Sequence, residues 1–302
     1  MPVVIAEFLT GSTPLPSLID PLTLPTLLGL YGAGALLVRE ATVAWRKGWP
    51  TVLALGCAYG VVEEALDVKS WFNPHWAGLG ALGTYGRLFG VNWVWSVELT
   101  IFHSVFSITI PIVLATLVFP DSTGKRWLNG RSLPLVGGLF VADVVFGFAF
   151  FPYSPPPVPY LAALSLALAL ILIARAVPST VSRADQFPAW DERVLLLAGF
   201  LTTALFFFLF WAVPTLQVPP AIVVAAAVAL CATLAWSLTR NRLSKIQAYS
   251  LVSGALGFLI VISVISLRLI SGTPFVGLAL AVYLCSLHRR VTSDYEPLSR
   301  GP

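Results

Sequence analysis

Charged side chains are scarce in this chain. Asp, Glu, Lys and Arg make up only 11% of its 302 residues, whereas 57% of the residues are hydrophobic. A soluble domain usually carries about 25% charged residues. The scarcity therefore excludes a soluble domain with a single anchor and predicts an integral membrane protein with several spans.

Cysteines and basic clusters are also scarce. The three cysteines, Cys57, Cys231 and Cys285, fall within apolar runs, which argues against a disulfide framework or a thiolate metal site. The net charge of +4 is spread over short loops without forming a patch, so we predict no nucleic-acid partner. The amino-terminal region lacks a basic segment and carries Glu7, and we therefore expect no cleavable signal peptide.

Long apolar runs dominate what remains. A helix needs about 20 apolar residues to cross a bilayer. On this criterion the sequence predicts an all-α polytopic protein with about nine spans, at residues 23–45, 51–68, 92–119, 133–152, 158–177, 193–213, 220–239, 247–267 and 272–288. The connections between them are short and rich in Pro, Gly or charge.

Basic residues predict the orientation. Fourteen of the eighteen Lys and Arg residues fall in the loops on one side and only three in those on the other, with Arg39 inside the first span. By the positive-inside rule the amino terminus is outside and the carboxyl terminus is cytoplasmic. We expect a multi-pass protein of the cell membrane.

Polar residues divide the single membrane domain, residues 1–302, into two unlike halves. Residues 1–152, with spans one to four, contain every acid predicted at membrane depth, whereas residues 153–302 read as an apolar scaffold. We find no inverted repeat of the kind that many transporters contain. Any chemistry is therefore predicted in the first half.

The second span carries three carboxylates in the stretch GCAYGVVEEALDVKSW. An ionised side chain at bilayer depth costs roughly 2.5–3.5 kcal/mol. On an α-helix Glu63, Glu64 and Asp67 share one broad face, and Tyr59 lies one turn earlier, where it could donate a hydrogen bond to Glu63. Because the three acids repel one another, we expect a proton or a cation to be shared among them.

The third and fourth spans add further polar residues. His103 lies near the middle of the third span, and Ser107 continues its polar stripe. Glu98 is about 140° around the helix from His103, so the two need not touch, although both could border one cavity. The fourth span contributes Asp143, for which a structural partnership is the simpler interpretation, as it is for the Arg39–Glu40 pair.

Glu and His together in a membrane suit two mechanisms. In hydrolysis a carboxylate activates water as a general base while His assists. The same set could hold a divalent metal that acidifies water, although no HExxH spacing is present, and the metal stays unassigned. In translocation a chain of acids and His relays protons or cations across the barrier.

The chain also resembles a known group of enzymes. A vicinal Glu pair in one membrane helix, followed by a basic residue and then by His in the next helix, is similar to the glutamic intramembrane proteases of the CAAX-protease, bacteriocin-processing and PrsW types. Here the pair is Glu63–Glu64, the basic residue is Lys69, and the segment FHSVFS carries His103. The resemblance implies Glu63 or Glu64 as general base, His103 as its partner, and hydrolysis without a metal.

Three functions stay open from the sequence. The first is an intramembrane hydrolase acting on a membrane-embedded peptide or a lipid-like substrate, the second a proton- or cation-coupled transporter or channel, and the third a non-catalytic scaffold or partner subunit. Besides substrate, we expect membrane lipids as partners. Residues 69–92 are predicted to lie at the outer interface as a cover. The candidate catalytic residues are Glu63, Glu64, His103 and Glu98, and the supporting ones are Asp67, Asp143, Tyr59 and Ser107.

Overall fold

The computed structural model describes residues 1–178, 190–240, 243–266 and 271–293, apart from the side chains of residues 239 and 240. Of the basic residues used to predict the orientation, Arg183, Arg242, Arg268 and Arg300 lie outside this described set. The nine-span count and the orientation stay predictions.

Long helices make up most of the described chain. In these ranges they are α1 (Thr23–Ala44), α2 (Trp49–Val61 continued by Val62–Asp67), α3 (Trp93–Val118), α4 (Ser132–Phe150), α5 (Pro157–Ala176), α6 (Glu192–Trp211), α7 (Pro220–Arg240), α8 (Lys245–Ile265) and α9 (Thr273–Ser293). Within the described residues seven of them, α1 and α3 to α8, are long and apolar enough to cross a membrane. The prediction of an all-α polytopic membrane protein is confirmed. The last two predicted spans correspond to separate helices, α8 and α9.

Four short segments of the described chain form π turns. Val4–Phe8, Leu28–Gly32 in α1, Val62–Asp67 in α2 and His103–Thr109 in α3 are π-helical. The wider turn is seen in the i→i+5 hydrogen bond from the Val68 amide to the Glu63 carbonyl, 3.0 Å. Such π turns are rare in proteins, and those that are found often lie at functional sites.

The chain between α2 and α3 folds into a cover at the end of the bundle where Asp67 lies. It contains a 3₁₀ turn, Gly80–Gly83, and an antiparallel hairpin of β1 (Arg87–Leu88) with β2 (Val91–Asn92). Phe72 is fully buried, whereas His75 is exposed. Lys69 is buried and donates to the carbonyls of Phe148 (2.6 Å) and Phe151 (2.5 Å), so it caps the end of α4.

A buried ion pair, Arg39–Glu40, lies at the end of the bundle opposite to Asp67. Arg39 Nη1 lies 2.8 Å from Glu40 Oε1, and Arg39 Nη2 donates to the carbonyls of Ser122 and Lys125. The Arg39 guanidinium also lies 3.6 Å from the centre of the Trp127 ring. Both charged side chains are buried and partnered, as the structural interpretation of this pair predicts.

Glycines let α6 and α8 cross at close range. A Cβ at Gly254 would lie 1.9 Å from the Leu196 carbonyl oxygen, and one at Gly199 would lie 2.2 Å from the Leu251 carbonyl oxygen. Because lipid tails are as apolar as the helices, close backbone packing of this kind is what holds membrane helices together.

Gly254→Ala should therefore destabilise the protein by about 1–3 kcal/mol, because the helices must separate to admit the methyl group. This cost outweighs the gain of about 1 kcal/mol in intrinsic helix propensity. The control is Gly257→Ala on the same helix, where the nearest atom lies 3.7 Å from the added Cβ. Thermal unfolding of the purified proteins in detergent should show a loss for the first variant and none for the second. Equal unfolding temperatures would contradict this description of the crossing.

Candidate functional site

Small residues on α2 bring the site together. A Cβ at Gly60 would lie 3.1 Å from Thr100 Cα and 3.2 Å from His103 Cβ, and one at Gly56 would lie 2.8 Å from Ser104 Oγ. The backbones of α2 and α3 therefore pass close to each other at this level. The crossing places the carboxylates of α2 beside the imidazole of α3.

The His103 imidazole lies between two carboxylates. Its Nε2 atom is 2.9 Å from Glu64 Oε1, and its Nδ1 atom is 2.9 Å from Ser107 Oγ and 3.0 Å from Glu63 Oε2. The contact with the Glu63 oxygen lacks hydrogen-bond geometry, and this oxygen has no hydrogen-bond partner in the described part of the chain. All four side chains are buried.

Glu64 is held more firmly than Glu63. The Ser70 hydroxyl donates a hydrogen bond to Glu64 Oε2, and Trp95 Nε1 donates to Ser70 Oγ at 3.0 Å. Glu64 Oε1 meets His103, so both oxygens of this carboxylate are occupied. The Glu63 carboxylate thus keeps an oxygen available for another group.

Two tyrosines flank the imidazole. The ring centroids of Tyr31 and Tyr59 each lie 6.1 Å from that of His103. The buried Tyr59 hydroxyl lies beside the Glu63 carboxylate, to which the sequence suggested it could donate, although it makes no hydrogen bond of regular geometry among the described residues.

Glu7 is a site residue that the sequence reasoning missed. Its carboxylate accepts hydrogen bonds from the Tyr31 hydroxyl and from Thr13 Oγ1, the latter at 2.6 Å. The π turn Val4–Phe8 packs against the π turn His103–Thr109. An acid inside the apolar run VVIAEFL was the available signal, and it was used only to argue against a leader peptide.

The remaining candidate acids lie apart from His103 in the contacts described for them. Asp67 is buried against Gly147 of α4, where a Cβ would lie 1.7 Å from Asp67 Oδ1. Asp143 is half-buried beside Gly29 of α1, where a Cβ would lie 3.0 Å from Asp143 Oδ1. Glu98 accepts a hydrogen bond from Trp211 Nε1 of α6 at 3.1 Å.

A cavity of about 270 Å³ lies beside Tyr59. Its walls come from α1, α2, α4 and α5 and are almost entirely apolar, with Tyr59 and Val62 on the side of the carboxylates. The ring of Tyr59 therefore separates this apolar space from the imidazole. Space of this kind at membrane depth suits hydrocarbon rather than water.

The two carboxylates and the imidazole can also act as metal ligands. One ligand atom from each of Glu63, Glu64 and His103 can be chosen so that all three lie within 4.8 Å of one another. Carboxylate oxygens and imidazole nitrogens are ligands that suit divalent cations such as Zn²⁺.

Fold and site together define a polytopic α-helical membrane protein with a buried Glu/His centre. The chain belongs to an uncharacterized membrane protein family, whose model matches residues 1–292. No curated protein and no solved structure matches the chain significantly.

Proposed function

We propose that this protein is an intramembrane hydrolase in which Glu63, Glu64 and His103 activate water against a membrane-embedded substrate. The observation that carries the proposal is the His103 imidazole, buried between two carboxylates that come from the neighbouring helix. General acid–base catalysis needs such groups within hydrogen-bond reach of one another.

The roles of the three residues follow from their contacts. Glu63 has the oxygen without a hydrogen-bond partner in the described chain, and it is therefore the group assigned to take a proton from water. Glu64 is fixed by Ser70 and fixes His103 in turn. His103 is the group assigned to pass a proton to the leaving group. The resemblance to glutamic intramembrane proteases supports the same assignment.

Two residues that the sequence analysis singled out, Lys69 and Glu98, receive no chemical role. Lys69 is occupied by the carbonyls at the end of α4, and Glu98 is bonded to Trp211. We assign Lys69 to the stability of the cover, and Glu98 to the contact between α3 and α6.

Unsatisfied polar atoms favour a functional site over a scaffold. In the described residues Glu63 Oε2 and Tyr59 Oη, both on side chains beside the His103 imidazole, are buried and have no hydrogen-bond partner of regular geometry. Native proteins satisfy nearly all buried polar groups, because an unsatisfied one costs about 1–3 kcal/mol. Side chains that serve only packing should not carry this cost in one region.

The test is hydrolysis in a reconstituted membrane. Purified wild-type protein in nanodiscs is supplied with a quenched fluorescent transmembrane peptide or with a phospholipid ester, in water enriched in ¹⁸O. We expect ¹⁸O in the carboxyl group of the product from one substrate class, and none above background with His103→Asn. Equal incorporation by the wild type and the variant with both classes would reject the proposal.

Cation or proton transport is the second candidate. It is favoured by two further acids near the centre: Glu7, which accepts a hydrogen bond from Tyr31 beside the imidazole, and Asp67, which lies in the same π turn as Glu63. Proteoliposomes under a pH or cation gradient should then show flux that His103→Asn abolishes. The hydrolase is ranked first because the contacts of His103 join it to Glu63, Glu64 and Ser107 in one compact centre.

A further inference from the structure

We propose that Glu63, Glu64 and His103 bind a divalent cation of the zinc type. The inference rests on the proposed function and deepens it: with an ion bound, Glu63, Glu64 and His103 would hold the ion, and the ion rather than Glu63 would activate the water. It departs from the sequence resemblance, which implies hydrolysis without a metal.

The geometry of the three side chains is close to that of a metal site. Zinc ligands lie about 2.0–2.2 Å from the ion, which puts the ligand atoms of a tetrahedral site about 3.3 Å apart. His103 Nε2 and Glu64 Oε1 are already 2.9 Å apart, and all three residues offer ligand atoms within 4.8 Å of one another. Glu63 Oε2 lies 3.0 Å from the other ring nitrogen, Nδ1, so the Glu63 side chain would have to rotate toward Nε2 to complete the set.

Charge balance supports a cation with two positive charges. With both carboxylates ionised and the imidazole neutral, the three side chains would carry a charge of −2, and isolated buried charges are costly unless they are paired or coordinate a metal. The buried cations described near either end of the bundle are occupied elsewhere: Lys69 by carbonyls of α4, and Arg39 by Glu40. A divalent ion would balance both carboxylates at once.

The proposed ligands are oriented by hydrogen bonds to neighbouring side chains, as metal ligands usually are. A ligating His usually makes a hydrogen bond through its other ring nitrogen, and ligating carboxylates are hydrogen-bonded as well. Here Ser107 holds His103 Nδ1, which leaves Nε2 to face the ion, and Ser70 with Trp95 holds Glu64. The unpartnered, buried Glu63 Oε2 is the remaining ligand in the described site.

Three protein ligands leave a fourth position on the ion. This is the arrangement of catalytic rather than structural zinc, and the open position takes a water molecule whose acidity the ion increases. The apolar cavity, which the Tyr59 ring separates from the imidazole, suits the apolar part of a substrate. Such a water would attack the substrate carbonyl carbon, the bond from that carbon to the leaving group would break, and the proton that the water loses would pass to the leaving group.

Metal content is the direct test. Wild-type protein is loaded with Zn²⁺, dialysed against metal-free buffer and measured by inductively coupled plasma mass spectrometry, with Glu63→Gln, Glu64→Gln and His103→Asn in parallel. We expect about one ion per chain in the wild type and less than about a tenth of that in His103→Asn. The control is His288→Asn, which removes an exposed imidazole and should retain the ion.

Thermal unfolding distinguishes a variant that has lost zinc binding from one that fails to fold. An ion that binds the native state raises its stability, so added Zn²⁺ should raise the unfolding temperature of the wild type and of His288→Asn but not that of folded His103→Asn. Zinc content that is the same in wild type and His103→Asn would overturn the inference. Hydrolysis that survives chelation would overturn the metal and leave the proposed hydrolase standing, whereas a bound ion without hydrolysis would reject the hydrolase alone.

Discussion

Replacing Glu63 by Gln should lower the rate of hydrolysis by about 10²–10⁴-fold, the usual contribution of a general base in position. Gln has nearly the shape of Glu but cannot take a proton from water. The carboxylate is also lost as a ligand, so the same direction is expected whether water is activated by Glu63 alone or by an ion. The initial rate of ¹⁸O incorporation into product, compared between wild type and variant in nanodiscs, measures the effect.

The control for this variant is Glu192→Gln. Glu192 lies at the exposed start of α6, and its substitution should leave the rate within about twofold. The double variant Glu63→Gln/His103→Asn should be about as slow as the slower single variant, because residues that act as a unit are not additive. A Glu63→Gln rate equal to that of Glu192→Gln would contradict the role of Glu63.

Arg39→Ala should cost about 3–5 kcal/mol of stability, the range for removing one partner of a buried ion pair. The substitution leaves the buried Glu40 carboxylate without its 2.8 Å partner. It also removes the hydrogen bonds to two loop carbonyls and the contact with the Trp127 ring. Denaturant or thermal unfolding of the detergent-solubilised protein measures the loss.

Arg126→Ala is the matched control for the ion pair. Arg126 Nε lies 3.4 Å from the other oxygen of Glu40, but its side chain is 48% exposed. An exposed pair of this kind contributes roughly 0–1 kcal/mol. The description of this end of the bundle is wrong if the two arginine variants unfold alike.

The helical fold was predictable because few backbone conformations are stable in a lipid bilayer. Backbone groups in hydrocarbon must be satisfied internally, so an apolar run of about 20 residues becomes a helix. The run predicted at 158–177 is α5, Pro157–Ala176, and the run predicted at 51–68 is α2, which ends at Asp67. Proline, glycine and charge marked the breaks between them.

The meeting of α2 with α3 was predictable only in part. Costly side chains in adjacent helices suggested that Glu63, Glu64 and His103 would lie near one another, and the structure brings them into contact. The π turns that aim these side chains have no signal in the apolar pattern, since they depend on how neighbouring helices pack.

Contacts between residues that are distant in the sequence could not be predicted from the sequence. Glu98 was placed with the catalytic candidates, but it is bonded to Trp211, 113 positions later in the chain. Glu7 is bonded to Tyr31 through a fold of the amino-terminal segment that no periodicity reveals. Local spacing predicts which residues share a helix face, whereas contacts of this kind depend on the packing of the whole bundle.

The central claim is that the His103 imidazole is shared between Glu63 and Glu64 inside the membrane. Nitrogen NMR of protein labelled with ¹⁵N-histidine tests it directly, because the chain has only three histidines and substitution of each assigns its signals. We expect Glu63→Gln and Glu64→Gln each to shift the ring-nitrogen signals of His103, while those of His75 and His288 stay in place. His103 signals that are unchanged in both variants would contradict the account.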